Sequence, residues 1–537
     1  MKKILFFSLL GVAGLTTFIF LYNHTYPIAA VELNVSRDKA ISIAKEYLTG
    51  MGCDLEKFTP AVIFARFNDQ VIYLQSVLGL KKANEVIRKD NFLWIWSVRW
   101  FRELEKEEYS VGVEPRTGNI IHYHYKILAE KEGASLASEE ARTIAEEFLK
   151  KMGFNLEEWY LANVSQNKQK NRLDHYFEWE KKEFMIGEAT LRLCVNVLGD
   201  RVGGYWRYFK MPEKFLREYR KKLSYGYILS SFSSLFTIFI YLMCFFNLFK
   251  LLRKNVLYWQ FSLYSATVLG VCYIFEFFNS IPLLWYSYNT TMSKIIFFNL
   301  NFFSTIISAI LASLMVFLFG AVGHSISLQD ETDRLPIINA LKDKVLSPLH
   351  FNNILIGYFM AFFFLGFVTL FYYIGIKYFG VWMPMEARYS NMLGTYLPFL
   401  DPFTVGFSAA VSEEFIFRLF AISLFKKYFK KDFLAVLIPA VIWAFAHSTY
   451  EVFPPYVRGI ELTIVGVILG YLFLRFGLET VIVTHYVIDA VLVSIPLLES
   501  KVLYYQISGI IVVSVAFIPI ILVYLLRHAR KFSNRLA

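Results

Sequence analysis

The chain has 537 residues, of which 56% are hydrophobic and 18% aromatic, and its formal net charge is +11. This composition excludes a soluble globular protein, because several segments exceed the roughly 18 uncharged residues that cross a bilayer. Much of the excess positive charge lies beside apolar segments, where Lys and Arg orient helices and contact anionic lipid, so membrane lipids rather than nucleic acid are the predicted partners.

The amino terminus, residues 1–29, is predicted to be a signal anchor or transmembrane helix. Lys2 and Lys3 precede 19 uncharged residues from Ile4 to Tyr22. That apolar stretch is long for a cleavable signal, and the following YPIAAVE lacks a clean small-x-small cleavage pattern. We therefore expect the segment to be retained.

Residues 30–222 have the charged, aromatic and periodic character of a folded domain, and they contain a duplication. The segments AISIAKEYLTGMGCDLEKF and ARTIAEEFLKKMGFNLEEW align without gaps at an offset of 101 residues, within repeats at about 35–130 and 134–215. In each copy a helical apolar pattern ends at Gly52 or Gly153, a residue suited to a left-handed carboxyl-terminal cap. Alternating strands follow. The sequence predicts an α+β region of two similar units, each a helix packed on a small antiparallel sheet.

The helix followed by a TGNII hairpin resembles the PepSY family of small extracytoplasmic modules, which are often attached to peptidases or their regulators. The region shows no catalytic cluster, and His122 with His124 is interpreted as part of a polar sheet face rather than a metal site. The cysteines lack CxxC or metal-knuckle spacing, which indicates neither a disulfide scaffold nor a zinc ribbon. A bridge between Cys53 and Cys194 stays open.

After Lys222 the chain returns to membrane character, with nine further predicted spans that bring the total to ten. These spans lie at 226–248, 257–285, 296–322, 352–379, 403–425, 433–449, 459–474, 478–498 and 503–526. We divide this part into accessory transmembrane helices (223–390), a carboxyl-terminal transmembrane core (391–526) and a basic cytoplasmic tail (527–537). The predicted fold is a mainly α-helical polytopic membrane protein with an amino-terminal α+β domain.

Basic residues in the loops predict the orientation in the membrane. With the amino terminus in the cytoplasm, the basic clusters at 250–254, 334–344, 426–431 and 527–535 are all cytoplasmic, and the opposite loops carry only scattered basic residues. This distribution satisfies the positive-inside rule for ten spans. Both termini are therefore predicted to be cytoplasmic and residues 30–222 extracytoplasmic.

Six ionisable residues lie toward the middle of the last five predicted spans, with Glu461 and Glu479 nearer the span ends, although a charged group at a helix centre costs roughly 2.5 to 3.5 kcal/mol on insertion scales. They are Glu413, Glu414, Arg418, His447, His485 and Asp489. Glu414 and Arg418 are four residues apart, so they share a helix face and are predicted to pair. A rise of 1.5 Å per residue places Glu413, His447 and Asp489 about 16 to 21 Å, and His485 about 10 Å, from the cytoplasmic helix ends. Within the error of the helix boundaries, these side chains share one slab of the bilayer.

A glutamate and two histidines in an apolar cavity suit hydrolysis by water. A carboxylate with little solvent around it is a good general base, and an imidazole shares the water or donates to a developing oxyanion. Asp489, four residues after His485, is placed to fix the tautomer of that imidazole. The sequence has no HExxH helix, GxSxG elbow or Walker loop. This constellation predicts a hydrolase.

The strings EEFIFR, WAFAH and HYVID, in this order on successive spans, resemble the EExxxR, FxxxH and HxxxN/D motifs of the CAAX prenyl protease and bacteriocin-processing (CPBP) family of intramembrane proteases. The resemblance implies these roles by position: water activation by Glu413 and His447, support of the site by Glu414 and Arg418, and oxyanion stabilisation by His485 with Asp489.

Two positions depart from the family motifs. Trp443 stands where the motif has Phe, an exchange of aromatic bulk that is expected to narrow the cavity. Asp489 stands where prenyl proteases have Asn, and an ionised carboxylate cannot donate a hydrogen bond, so Asp489 is expected to orient His485 instead. The family is often described as metalloproteases, yet one Glu and two His serve with or without zinc. We predict a glutamate mechanism with no metal or other cofactor.

Other functions remain open. Buried Glu, Arg and His often hold membrane helices together, so the alternative is a non-enzymatic scaffold or bacteriocin-immunity protein whose outer domain binds a peptide or partner. A transporter is less favoured, because the two halves of the membrane region show no repeat. The predicted substrate is a peptide or membrane-anchored protein. A prenylated chain is not expected if the PepSY-like region indicates a bacterial protein.

Overall fold

The computed structural model describes residues 2–26, 32–329, 348–384, 392–521 and 523–525. Its α-helices are α1 (Lys2–Thr25), α2 (Arg37–Gly50), α3 (Asn68–Lys89), α4 (Ser138–Lys151), α5 (Glu213–Arg253), α6 (Gln260–Asn279), α7 (Ile281–Tyr286), α8 (Lys294–Gln329), α9 (Pro348–Tyr378), α10 (Leu400–Glu413), α11 (Ser423–Phe429), α12 (Asp432–Ala446), α13 (Tyr456–Phe476), α14 (Leu478–Glu499) and α15 (Leu503–Ala516). Its strands are β1 (Thr59–Arg66), β2 (Trp94–Phe101), β3 (Glu108–Val113), β4 (Ile120–Lys126), β5 (Trp159–Lys168), β6 (Leu173–Ile186), β7 (Ala189–Leu198) and β8 (Arg201–Lys210).

The two copies of the repeat form one continuous antiparallel sheet, in the order β1-β2-β3-β4-β8-β7-β6-β5. Each copy contributes four neighbouring antiparallel strands and a helix, as the repeat predicts, and the structure adds that the two sets of strands join edge to edge. The last strands of the two copies, β4 and β8, pair with each other through Tyr123 opposite Tyr205 and His124 opposite Gly204. This pairing removes two exposed sheet edges and joins the two apolar faces into one core.

Helices α2 and α4 pack on one face of the sheet at equivalent positions of the two copies. Their fully buried residues match at the offset of the repeat: Ala40, Ala44 and Leu48 in α2, and Ala141, Ala145 and Leu149 in α4. The small Ala side chains allow the helix backbone to approach the sheet closely. Gly52 and Gly153 follow these helices with φ of +79° and +86°, the left-handed conformation predicted from the sequence.

Helix α3 distinguishes the two copies. It lies between β1 and β2 of the first copy, whereas β5 and β6 of the second copy are joined by a short turn. The helix is interrupted at Gly79, whose φ of +74° and ψ of 161° are not helical. All four cysteines, Cys53 and Cys194 included, are free thiols, so the bridge left open by the sequence is not formed.

The chain is a multi-pass membrane protein. Among the described residues, α1, α5, α6, α8, α9, α12, α13 and α14 are long and apolar enough to cross a membrane, and α15 with the helix after it adds a ninth span if that pair, bent by 43°, counts as one. The remaining predicted span, 403–425, lies within a continuous helical run of α10, a π-helical segment and α11, which carries the charged motif. The predicted span 257–285 is broken at Ser280, between α6 and α7. The predicted tail, 527–537, lies outside the described residues.

The amino-terminal helix is part of the membrane bundle. Helix α1 packs along α9, and a side chain at Gly14 would come within 2.4 Å of the backbone of Phe363. Small residues at such crossings allow two membrane helices to make close van der Waals contact. The predicted signal anchor is therefore packed against α9, a membrane helix that follows the sheet domain in the chain.

Half-buried polar contacts join the sheet domain to the end of α7 and join α5 to the segment after α12. Arg99 Nη1 donates to the carbonyls of Tyr286 at 2.7 Å and Tyr288 at 2.8 Å. Tyr219, near the start of α5, donates to Glu451 Oε1 at 3.0 Å.

Candidate active site

Glu414 and Arg418 lie on a π-helix of nine residues, Glu414–Ile422, between α10 and α11. All nine residues are buried, and π-turns within helices are frequent at functional sites. Arg418 Nη1 lies 3.1 Å from Glu414 Oε1, and the two side chains are 2% and 0% exposed. The ion pair predicted from the spacing is present, although the local helix is wider than the α-helix assumed.

His485, on α14, is held by carboxylates at both ring nitrogens. Its Nδ1 lies 2.8 Å from Glu414 Oε1, and its Nε2 lies 3.4 Å from Asp489 Oδ2. The sequence predicts Asp489 as the orienting residue, yet Glu414 makes the shorter contact. Glu414 and His485 are distant in the chain, so no spacing pattern indicates this contact.

Glu413 faces both histidines of the motifs. Its Oε1 lies 3.8 Å from His447 Nε2, and its Oε2 lies 3.9 Å from His485 Nε2. Both distances exceed the usual 2.7 to 3.2 Å of an N–H···O hydrogen bond, but a small group beside the carboxylate could contact all three side chains. The structure thus brings together the residues that the depth estimate placed in one slab.

Trp443, on α12, contacts Glu413 and His447 and lies against Arg418. The indole Nε1–H donates a hydrogen bond to Glu413 Oε2, and the Trp443 carbonyl lies 2.8 Å from His447 Nδ1. The Arg418 guanidinium carbon lies 4.3 Å from the centre of the Trp443 ring. From the sequence Trp443 was expected only to add bulk, because a motif that has Phe gives no sign of a donor.

The motif residues open into a cavity of about 350 Å³. Its lining is mostly apolar side chains of the membrane helices, with Glu413, His447, His485 and Asp489 on one side. The sheet domain contributes Leu80, the residue after the break in α3. A concave, mainly apolar cavity with a few convergent polar groups is typical of a ligand or substrate site.

The donor atoms of this cluster do not define a metal position. Glu413 Oε2 accepts from Trp443, and His485 Nδ1 contacts Glu414. Across the part of the chain that the structure describes, no set of three His, Cys, Asp or Glu side chains is arranged to hold a metal ion. A mechanism without a metal stays a prediction from the sequence.

Residues 395–491 match the family model of the type II CAAX prenyl endopeptidase Rce1-like proteins. The fold and the site thus define a multi-pass membrane protein whose carboxyl-terminal part matches the Rce1-like domain, and this match supports an intramembrane protease-type function. All three motifs lie within the matched residues. The part of the family resemblance that concerns the membrane domain is confirmed.

The whole chain is similar to the sporulation-killing factor biosynthesis protein SkfC of Bacillus subtilis (strain 168). The two are 23% identical over 523 residues, which cover 93% of this chain and 96% of that protein. The similarity therefore includes the sheet domain as well as the membrane helices. No solved structure matches the chain.

Proposed function

We propose that this protein is an intramembrane endopeptidase that hydrolyses a peptide bond with water activated by Glu413 and His447. The observation that carries the proposal is the position of the Glu413 carboxylate, less than 4 Å from the Nε2 atoms of both motif histidines in one cavity. A general base must lie within hydrogen-bond reach of the proton that it removes, directly or through one water.

The contacts of His447 support a defined tautomer. If its Nδ1–H donates to the Trp443 carbonyl, the Nε2 lone pair of the neutral ring points to the side of Glu413. A water between Glu413 and His447 would lose a proton to Glu413 as its oxygen bonds to the substrate carbonyl carbon. Glu413 then returns that proton to the leaving nitrogen when the C–N bond breaks.

His485 is suited to stabilise the oxyanion of the tetrahedral intermediate. Its Nδ1 contacts Glu414 Oε1 at 2.8 Å, so the Nε2–H of an imidazolium, 3.4 Å from Asp489 Oδ2, is the donor that would turn to the oxyanion. The buried Glu414–Arg418 pair holds this ring in place from the side opposite the cavity. In this mechanism Glu414, Arg418 and Trp443 are positioning residues, and Asp489 supports His485.

The proposed substrate is a peptide or membrane-anchored protein. The printed name of SkfC places that relative in the biosynthesis of a sporulation-killing factor, which favours a bacteriocin-like precursor. We propose a bacterial cell membrane as the location, with both termini in the cytoplasm and a PepSY-like domain over residues 30–222 outside.

A comparison of peptides in the membrane fraction tests the function. Cells would carry the parent protein, the Glu413→Gln variant or the His447→Ala variant, with Glu276→Gln as the matched control. Glu276 is a membrane-helix carboxylate that does not line the cavity and that accepts a hydrogen bond from Ser280. The parent and the control should yield cleaved peptides that both motif variants lack. The scaffold alternative would be established if all four strains cleaved peptides equally and the cellular function of the protein were lost only on deletion of residues 30–222.

A further inference from the structure

A second polar cluster lies in the same cavity, outside the three motifs. Arg458 Nη1 lies 2.7 Å from Glu461 Oε2 near the start of α13, and the Tyr372 hydroxyl donates to the same oxygen at 3.2 Å. The Arg458 side chain keeps 21% of its exposure, whereas Glu461 has none. Both residues line the cavity, and the Arg458 side chain is the more exposed of the two.

Arg458 is one aromatic ring away from the proposed reaction centre. Its guanidinium carbon lies 5.2 Å from the centre of the Tyr450 ring, and that ring lies 5.7 Å from the imidazole of His447. A peptide bond held at Glu413 and His447 would thus have a neighbouring part of the chain beside Arg458.

The charges of the lining make Arg458 distinctive. Among the described residues that line the cavity, Arg458 is the single Lys or Arg, and the acidic lining residues are Glu413, Glu451, Glu461 and Asp489. His485, the other lining group proposed to carry positive charge, belongs to the reaction centre, whereas a carboxylate on the Tyr450 side of the cavity meets the permanently charged guanidinium of Arg458. Arg presents a planar set of donors that matches a carboxylate.

The cluster is also incompletely satisfied. Within the described part of the chain, Arg458 Nε and Glu461 Oε1 are buried with no hydrogen-bond partner. Buried polar atoms are normally paired, and a buried ion pair by itself is weak evidence of a stabilising role. A ligand that brings further oxygen atoms to the guanidinium would explain why such a pair is kept at the cavity wall.

We propose that Arg458 is a specificity-determining residue that binds a carboxylate of the peptide substrate, either the carboxyl terminus or an Asp or Glu side chain. Glu461 and Tyr372 are positioning residues that hold the guanidinium toward the cavity. This inference rests on the proposed function, since it assigns one feature of the substrate of that site.

Peptide binding to the full-length protein tests this assignment. The protein would carry Glu413→Gln, so that binding is measured without cleavage. The probes are three dansylated Ala/Leu/Val peptides of equal length: one with a free carboxyl terminus, one with a carboxyl-terminal amide, and the amide with a single internal Glu. Fluorescence anisotropy in detergent micelles gives each Kd.

We expect a carboxylate-bearing probe to bind about tenfold more tightly than the plain amide, the usual effect of a hydrogen bond to a charged group. The arm that gains affinity identifies the source of the carboxylate. Arg458→Gln should abolish the preference for the carboxylate-bearing probe. Glu461→Gln should keep the preference or strengthen it, because the guanidinium then has no competing anion.

A purely structural ion pair predicts a different result, in which both variants weaken all three probes alike. That result would overturn the assignment. The assignment would also be overturned if the Glu413→Gln protein bound the three probes equally or bound none of them, or if its preference survived Arg458→Gln. Cleavage by protein with an intact Glu413 is measured separately, so failure of the carboxylate site and failure of the peptidase proposal are distinguishable.

Discussion

The indole of Trp443 donates a hydrogen bond to Oε2 of Glu413. The carbonyl of the same tryptophan lies 2.8 Å from Nδ1 of His447. One residue thereby fixes the rotamer of the proposed base and the ring orientation of its partner, and only the first of these contacts depends on the side chain. A Phe at this position would keep the backbone contact and lose the donor.

Trp443→Phe is therefore expected to lower kcat about tenfold while KM changes little, because Glu413 keeps its position less well when one hydrogen bond to a charged group is lost. Steady-state cleavage of a processed precursor peptide measures both constants. A Trp443→Ala variant should lose more, since it also opens the cavity. Unchanged kcat in Trp443→Phe would show that the indole donor has no role in catalysis.

Arg418→Gln is expected to reduce the free energy of unfolding by about 3 to 5 kcal/mol, because Glu414 would be left as an uncompensated buried charge. Arg142→Gln is a matched control. Its pair with Glu146 has the same i,i+4 spacing, but its side chains are 38% and 27% exposed, and exposed pairs contribute about 0 to 1 kcal/mol. Thermal unfolding in one detergent compares the two variants, and similar shifts would contradict a special role for the buried pair.

Among the described residues of the sheet domain, Leu80 is the one whose side chain lines the cavity. Leu80→Ala is expected to widen the access of a peptide and lower KM severalfold, with kcat unchanged, because no reacting group is touched. Val77→Ala is the control. Val77 lies three residues earlier on α3, before the break at Gly79, is 43% exposed and is not part of the lining. If the two substitutions have the same effect on KM, Leu80 does not limit entry.

His122, on β4, is expected to make the folding stability of the sheet domain decrease in acid. Burial lowers the pKa of its imidazole to about 4, below the value of about 6.5 of an unfolded histidine. The unfolded chain therefore binds the proton first, and folding stability falls as the pH drops from about 6.5 to about 4. Hydrogen exchange of the β4 amides across this range should show increasing opening in the parent and a flatter profile in His122→Gln. Identical profiles would exclude His122 as the source.

Local patterns predicted much of the fold because they depend on neighbours in the chain. The duplication, the caps at Gly52 and Gly153, and most of the membrane helices follow from periodicity and composition over a few turns. The pairing of β4 with β8 does not, since either copy of the repeat has an edge strand that another partner could occupy. The break at Gly79 also has no sequence signal beyond a glycine in a helical pattern.

By itself the sequence determined which side chains are placed in the membrane interior and which of them share a helix face, because helical spacing and hydrophobic length follow from the covalent chain. The contacts of Glu414 with His485 and of Trp443 with Glu413, and the approach of Arg458 to the cavity, were decided only by the tertiary structure. They depend on how separate helices rotate and cross, which is set by the sum of many small packing contacts and not by any spacing along the chain.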